Sequence, residues 1–238
     1  REGRDRETLA LSQEELVRKV HAANPRTVMV LVSSFPYTIN WSQEHVPAIV
    51  HMAHSSQDEG WALAQVLFGD YNPGGHTVVT WPASMDELPP MLDYDIRHGR
   101  TYMYAKGTPL YPFGHGLSYT TFDFARLRTD TQAVARDGQL EVSVDVTNTG
   151  KVAGDAVPQL YVQHLGSKVA RPAQQLAGFS RIHLAPGETR TVRIPLKASQ
   201  LAYWDTSRKA FVVEQEPVRL MIGASAADVR LRAEMVMQ

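Results

Sequence analysis

Nine histidines in the sequence raise the question of chemistry first, because imidazole ligates metals and moves protons near neutral pH. His45, His51 and His54 form the tightest grouping, with His51 and His54 three apart. The pair lies on or just after a segment that reads as a strand. No His-Glu-x-x-His helix and no second ligand cluster accompany it, so no metal site is expected. Asp58 and Glu59 could be a reactive carboxylate pair. Their place in the first turn of a helix gives a simpler role, in which they cap free amides and complement the dipole. Asn72-Pro73-Gly74-Gly75 has phosphate-loop composition but follows a helix instead of opening one, which presents no amide nest. No Gly-x-Ser-x-Gly elbow occurs. Arg1-Glu2-Gly3-Arg4-Asp5-Arg6 reads, by composition alone, as a solvated charged terminus. No pattern asks for a cofactor.

Two kinds of hydrophobic pattern position these residues. Residues 1–118 alternate helix and strand. Ser12 with Glu15 three residues on predicts a capping box, and Leu16, Val17 and Val20 continue at helical spacing to Asn24-Pro25. Thr27-Val28-Met29-Val30-Leu31-Val32 predicts a strand buried on both faces, the signature of a parallel sheet. Residues 47–52 predict a second strand. Ser56 to Glu59 predicts another capping box, for a helix through Trp61, Ala64 and Phe68, and Thr77-Val78-Val79-Thr80 a short third strand. About three strands are few for an independent α/β domain.

Residues 81–118 carry Pro82, Pro89, Pro90, Pro109 and Pro112 around Tyr102, Tyr104, Tyr111 and Phe113, a connector rich in Pro, Gly and aromatics. Tyr111, Phe113, Leu117 and Tyr119 are expected to face one way and dock the connector on both neighbours. From 119 on, the grammar is β: Leu140, Val142, Val144 and Val146 alternate with polar residues, and Ala185-Pro186-Gly187-Glu188 marks a turn. About seven short strands suggest an immunoglobulin-like sandwich. Of its aromatics, Tyr161, Phe179, Tyr203, Trp204 and Phe211, most are expected in the core, which leaves few for stacking on sugars.

The 238 residues have 43% hydrophobic composition and a net charge of -1, enough to bury a core and too balanced for a nucleic-acid or anionic-lipid footprint. Residues 1–118 hold 9 Lys/Arg against 13 Asp/Glu and residues 119–238 hold 15 against 12, so charge and pattern change together near Ser118. The absence of cysteine excludes disulfides and thiolate sites and is compatible with an oxidising compartment. The longest apolar run is too short to cross a bilayer. The chain opens on Arg1 without an apolar signal segment, which suggests a processed terminus or a piece of a longer protein.

Several ordered segments resemble the C-terminal part of glycoside hydrolase family 3, the β-glucosidase and β-xylosidase family. Glu2-Gly3-Arg4-Asp5-Arg6 with Leu9 and Leu11 resembles its E-G-x-D-R-x-x-L-x-L stretch, and Asn24-Pro25-Arg26-Thr27-Val28 its strand entry. Gln57 to Gly75, Thr80-Trp81-Pro82, Gly99-Arg100-Thr101-Tyr102 and Leu110 to Tyr119 follow in family order. Tyr203-Trp204-Asp205 and Ile222-Gly223-Ala224-Ser225 resemble the fibronectin type III-like domain that ends many members.

The resemblance implies three parts. They are the C-terminal part of an α/β sandwich domain (1–80), the connector (81–118) and a fibronectin type III-like β-sandwich (119–238). It also implies a retaining glycosidase acting on non-reducing ends of β-linked oligosaccharides or glycosides, in carbohydrate catabolism, secreted or periplasmic. The family's nucleophile is an Asp on an N-terminal (β/α)₈ barrel, which this chain is expected to lack, so alone it should be inactive. Glu2 falls where the family's acid/base does. Members with E-x-E-G spacing leave the role open between this Glu and one upstream of Arg1. Gly99-Arg100-Thr101-Tyr102 leans toward the xylosidase branch, with the glucosidase branch open. The alternative is a non-catalytic module, structural or carbohydrate-binding.

Overall fold

The computed structural model describes residues 8–54 and 57–238. Ser56, the expected cap of the second helix, lies outside these residues, as does Glu2. The first part runs α1 (Glu14–Ala23), β1 (Val28–Val32), α2 (Asn40–His45), β2 (Ala48–Met52) and α3 (Glu59–Phe68), with a one-turn α4 (Thr101–Tyr104) in the connector. β1 and β2 pair in parallel, Val28 beside Ala48 and Leu31 beside His51. Met29 and Leu31 are buried with Ile39, Val46 and Trp81, and Val17, Trp41 and Tyr111 pack around them.

Several local expectations are corrected. β1 is not buried on both faces: Val28 is 46% and Val32 42% exposed, because a two-stranded sheet offers only one covered face. Leu16 and Val20 of α1 are exposed as well. The Ser12 capping box does not form. α1 starts at Glu14 without a side-chain cap, and Ser12 Oγ donates to Gln13 Oε1. Glu14 turns away to accept from Ser42 N at 3.2 Å and Ser42 Oγ at 2.9 Å, tying α1 to α2. Asp58 precedes α3 but its carboxylate caps nothing. Glu59 Oε1 is buried with no hydrogen-bond partner among the described residues. Thr77 to Thr80 is not a strand: Thr77 instead pairs with the connector, and Val78 stands 82% exposed.

The second part is a β-sandwich. One sheet orders β3 (Phe122–Thr129), β5 (Gln139–Asn148) and β10 (Thr189–Lys197). The other aligns β4 (Ala133–Val134), β14 (Val229–Met237), β13 (Pro217–Gly223), β7 (Gln159–His164) and β8 (Gln175–Phe179). Two ribbons complete it, β6 (Gly154–Ala156) with β9 (Ile182–Leu184), and β11 (Tyr203–Asp205) with β12 (Ala210–Val212). Alternation does the work: Leu140, Val142, Val144 and Val146 from β5 meet Leu160, Val162, Leu220 and Ile222 from the facing sheet in one buried core. A bulge in β3, with Arg126 at φ 52°, lets Arg126 and Arg128 both reach Asp145 Oδ atoms at 2.5 and 2.7 Å. With Thr191 Oγ1 they hold that carboxyl well below the usual range.

Candidate functional site

In a parallel sheet, ligands gather where the strands end at their carboxyl side. Here β1 ends at Val32, just before Ser33 and Ser34, and β2 ends at Met52, with His51 its penultimate residue and His54 two residues beyond. Ser33 Oγ donates its one proton to Phe35 O at 2.9 Å. His51 Nε2 lies 3.2 Å from both Ser33 Oγ and Ser33 O, so the proton between them is assigned to the ring. Ser33 is therefore not activated as a nucleophile, and the pair positions the loop. His54 Nδ1 bonds Ser34 Oγ at 2.8 Å, and His45 Nδ1 bonds Trp41 O. The three histidines are thus each engaged locally. Among the described residues no group of three His, Asp or Glu side chains comes together to hold a metal.

Thr38 N donates to Leu9 O at 2.9 Å and Ala10 bridges Thr38. The chain that follows Glu2-Gly3-Arg4-Asp5-Arg6 thus runs beside the loop leaving β1. This pairing, between residues 28 apart, left no trace in either segment's pattern.

The other motif segments converge on a seam between the first part and the sandwich. Trp81 N donates to Tyr111 O, Gly114 N to Thr77 O and Thr77 N to His115 O, at 2.8–2.9 Å. Thr77 Oγ1 adds a bond to Pro112 O, and Tyr111 OH bonds Gln43. On the sandwich side, Phe113 stacks on Tyr102 at 4.4 Å, and Tyr102 meets Tyr161 edge-on. Ala226 N donates to Phe113 O, and Gln159 Nε2 joins Gly114 O and Ala224 O.

Asn72 staples the far end. Its Nδ2 donates to Ala153 O, and its Oδ1 accepts from Ser118 Oγ and Tyr119 N. Arg181 and His183 share Asp155, and Arg181 reaches Tyr71 OH. The connector thus docks on both neighbours through Tyr111 and Phe113. Leu117, expected on the same face, is instead 78% exposed, while Tyr119 OH donates to Val66 O.

Electrostatically the seam favours neutral imidazoles. Burial lowers the His115 pKa, and burial together with the nearby His115 and Arg181 lowers that of His76. An apolar cleft of 410 Å³ beside it is lined by Val79, Pro82, Tyr102, Met103, Phe113 and Ala226. The seam has the chemistry of a rigid joint, not of a reaction centre. Three of the sandwich aromatics correct their expectation: Phe179, Trp204 and Phe211 are exposed. Tyr161 is buried.

A model of the glycosyl hydrolase family 3 C-terminal domain matches residues 1–119, and one of a fibronectin type III-like domain matches residues 156–226. A β-xylosidase of Formosa agariphila is 38% identical over 94% of this chain and 32% of its own length. A periplasmic β-glucosidase of Salmonella typhimurium is 34% identical over 94% of this chain and 30% of its own. The crystal structure of a Kluyveromyces marxianus β-glucosidase in complex with glucose superposes at TM-score 0.89, with 34% identity, over 100% of this chain and 30% of that one. The chain spans about a third of the length of the curated relatives it matches. It belongs to glycosyl hydrolase family 3, by its C-terminal domain.

Proposed function

We propose that this chain is the C-terminal portion of a retaining β-glycosidase that removes terminal non-reducing sugars from β-linked glucosides or xylosides. The match of the family 3 C-terminal domain to residues 1–119 carries this reading. The parts are 1–80, the end of an α/β sandwich domain, 81–118, the connector, and 119–238, the fibronectin type III-like sandwich. Their separate sheets and the seam joining them support this division.

A retaining mechanism uses two carboxyl groups about 5 Å apart. An Asp on a preceding barrel forms the glycosyl-enzyme. A Glu protonates the leaving oxygen, then deprotonates the attacking water. Glu2, outside the described residues, takes the acid/base role, with a Glu just upstream of Arg1 as the alternative. The sandwich braces the catalytic parts through the Asn72 and Gly114 contacts. A periplasmic or secreted location accords with the periplasmic relative. Among the described residues no helix is long and apolar enough to cross a membrane.

The test uses this chain and a longer protein that adds the preceding barrel. The 238-residue chain should hydrolyse aryl β-glucosides and aryl β-xylosides no faster than buffer. In the longer protein Glu2→Gln should lower the rate on poor leaving groups by roughly 10²–10⁴-fold, and much less on activated aryl leaving groups. Full activity of that variant on all substrates would move the acid/base role elsewhere, and an inactive longer wild-type protein would refute the glycosidase reading.

A further inference from the structure

Trp204 and Phe211 are cross-strand partners on the β11–β12 ribbon. Their rings stand 5.2 Å apart at 73°, and they are 51% and 73% exposed. Among the described residues no other pair of aromatic rings in contact has both members more than half exposed. The corner is held from behind and from its tip. On the opposite face of β11, the Arg171 guanidinium covers Tyr203 at 4.8 Å, and Arg171 is itself fixed by the largely buried Glu214. At the turn, Asp205 Oδ1 accepts from Ser207 N, Ser207 Oγ and Arg208 N at 2.9, 2.6 and 3.1 Å. A corner already rigid loses little freedom when it binds.

We propose that this corner is a stacking site for pyranose rings of a β-linked glycan, separate from the seam. In a β-linked glucan or xylan the ring substituents are equatorial, so each sugar face is a flat array of axial C–H bonds. Such a face suits the electron-rich face of an indole. The second ring, set nearly perpendicular, closes on the sugar's edge, and Arg208, exposed on the turn, offers hydrogen-bond donors to hydroxyls at the rim. Size separates this occupant from a protein. Two aromatic side chains of about 150–250 Å² each, at these exposures, offer roughly 250 Å². A stable protein interface takes about 800 Å² per partner. The patch fits a sugar ring or two and is too small for a folded partner.

The choice of β-linked chains rests on the glycosidase reading; the stacking does not. Affinity electrophoresis of the 238-residue chain in gels with soluble xylan, mixed-linkage β-glucan or dextran tests both. The β-linked polymers should retard the wild type and dextran should not. Trp204→Ala and Phe211→Ala should weaken binding about tenfold with unchanged circular dichroism, Trp204→Tyr should retain most of it, and Trp61→Ala, an exposed aromatic on α3, should change nothing. No retardation by any polymer, or equal loss in Trp61→Ala, overturns the site. Equal retardation by dextran overturns the β-linked choice. Because no activity is measured, failure here is distinct from failure of the glycosidase reading, which the longer protein's turnover decides.

Discussion

Gly114→Ala gives the sharpest test of the seam. Gly114 sits at φ 79°, and a Cβ there would overlap Gln159 Oε1 and stand 2.9 Å from Gln159 Cδ. Holding an alanine in that left-handed conformation costs roughly 1–2 kcal/mol. Gln159 is 4% exposed. Its side chain donates to Gly114 O and Ala224 O at 3.0 and 2.8 Å and accepts from Tyr161 OH at 2.5 Å. Pushing it aside forfeits up to three buried bonds, each worth about 1 kcal/mol net. The sum is about 3–5 kcal/mol, a large share of a typical domain's stability. Urea unfolding followed by circular dichroism should show the midpoint falling, and limited proteolysis should open new cleavage between Pro109 and Tyr119. Gln159→Ala removes the obstacle but loses the same bonds, so the double variant should cost at least about 1 kcal/mol less than the sum of the singles. A Gly114→Ala cost below about 1 kcal/mol, or strict additivity, would refute the reasoning.

Acid should loosen the same seam. His76 and His115 have folded pKa values below their unfolded 6.5, so their contribution is complete above about pH 6.5. It is lost as pH falls from there through the folded values, at most about 2.7 kcal/mol per pH unit for two protons. His98, raised by Asp93, runs the other way, but its side chain is 60% exposed and solvent screens it. Urea midpoints from pH 8 to 5 should decline below 6.5, less so in His76→Gln/His115→Gln; a flat profile would contradict the assignment. Residues 119–238 alone should melt cooperatively and residues 1–118 should not, because β1 and β2 have one covered face; a cooperative transition in the first piece would sink the idea.

The sandwich was legible because the apolar residues of β5 and β10 alternate with polar ones. Leu140 to Val146 are buried at every second position, so the period alone identifies the inward face. β3 has no such regular period, because its bulge at Arg126 breaks it. Thr77 to Thr80 misled for the opposite reason. Its β-branched run has strand propensity, but the partner it meets is a proline-rich connector that supplies few amides. Trp204 and Phe211 misled through position: on a two-stranded ribbon only one face is covered, and Tyr203 takes it. The Ser33–His51 pair was invisible because it depends on the parallel register that sets Leu31 beside His51, which neither segment encodes alone.

The segments that carried the family resemblance most specifically turn out to touch one another. Trp81 pairs with Tyr111 and Thr77 with Gly114 and His115, Asn72 reaches Ala153 and Tyr119, and Ala224 and Ala226 close on Gln159 and Phe113. Their small and proline residues have a common physical use. At Gly116 a Cβ would overlap Gly75 O and stand 3.0 Å from His76 Cδ2, so two backbones meet there at a distance no other residue allows. A joint built on backbone contact has little room to repack, and its geometry is fixed to within a rotamer. Transition-state stabilisation in turn depends on placing groups to within about 1 Å. Motif residues that never meet a substrate can therefore be as constrained as those that do. The motifs that meet at the seam specify an orientation.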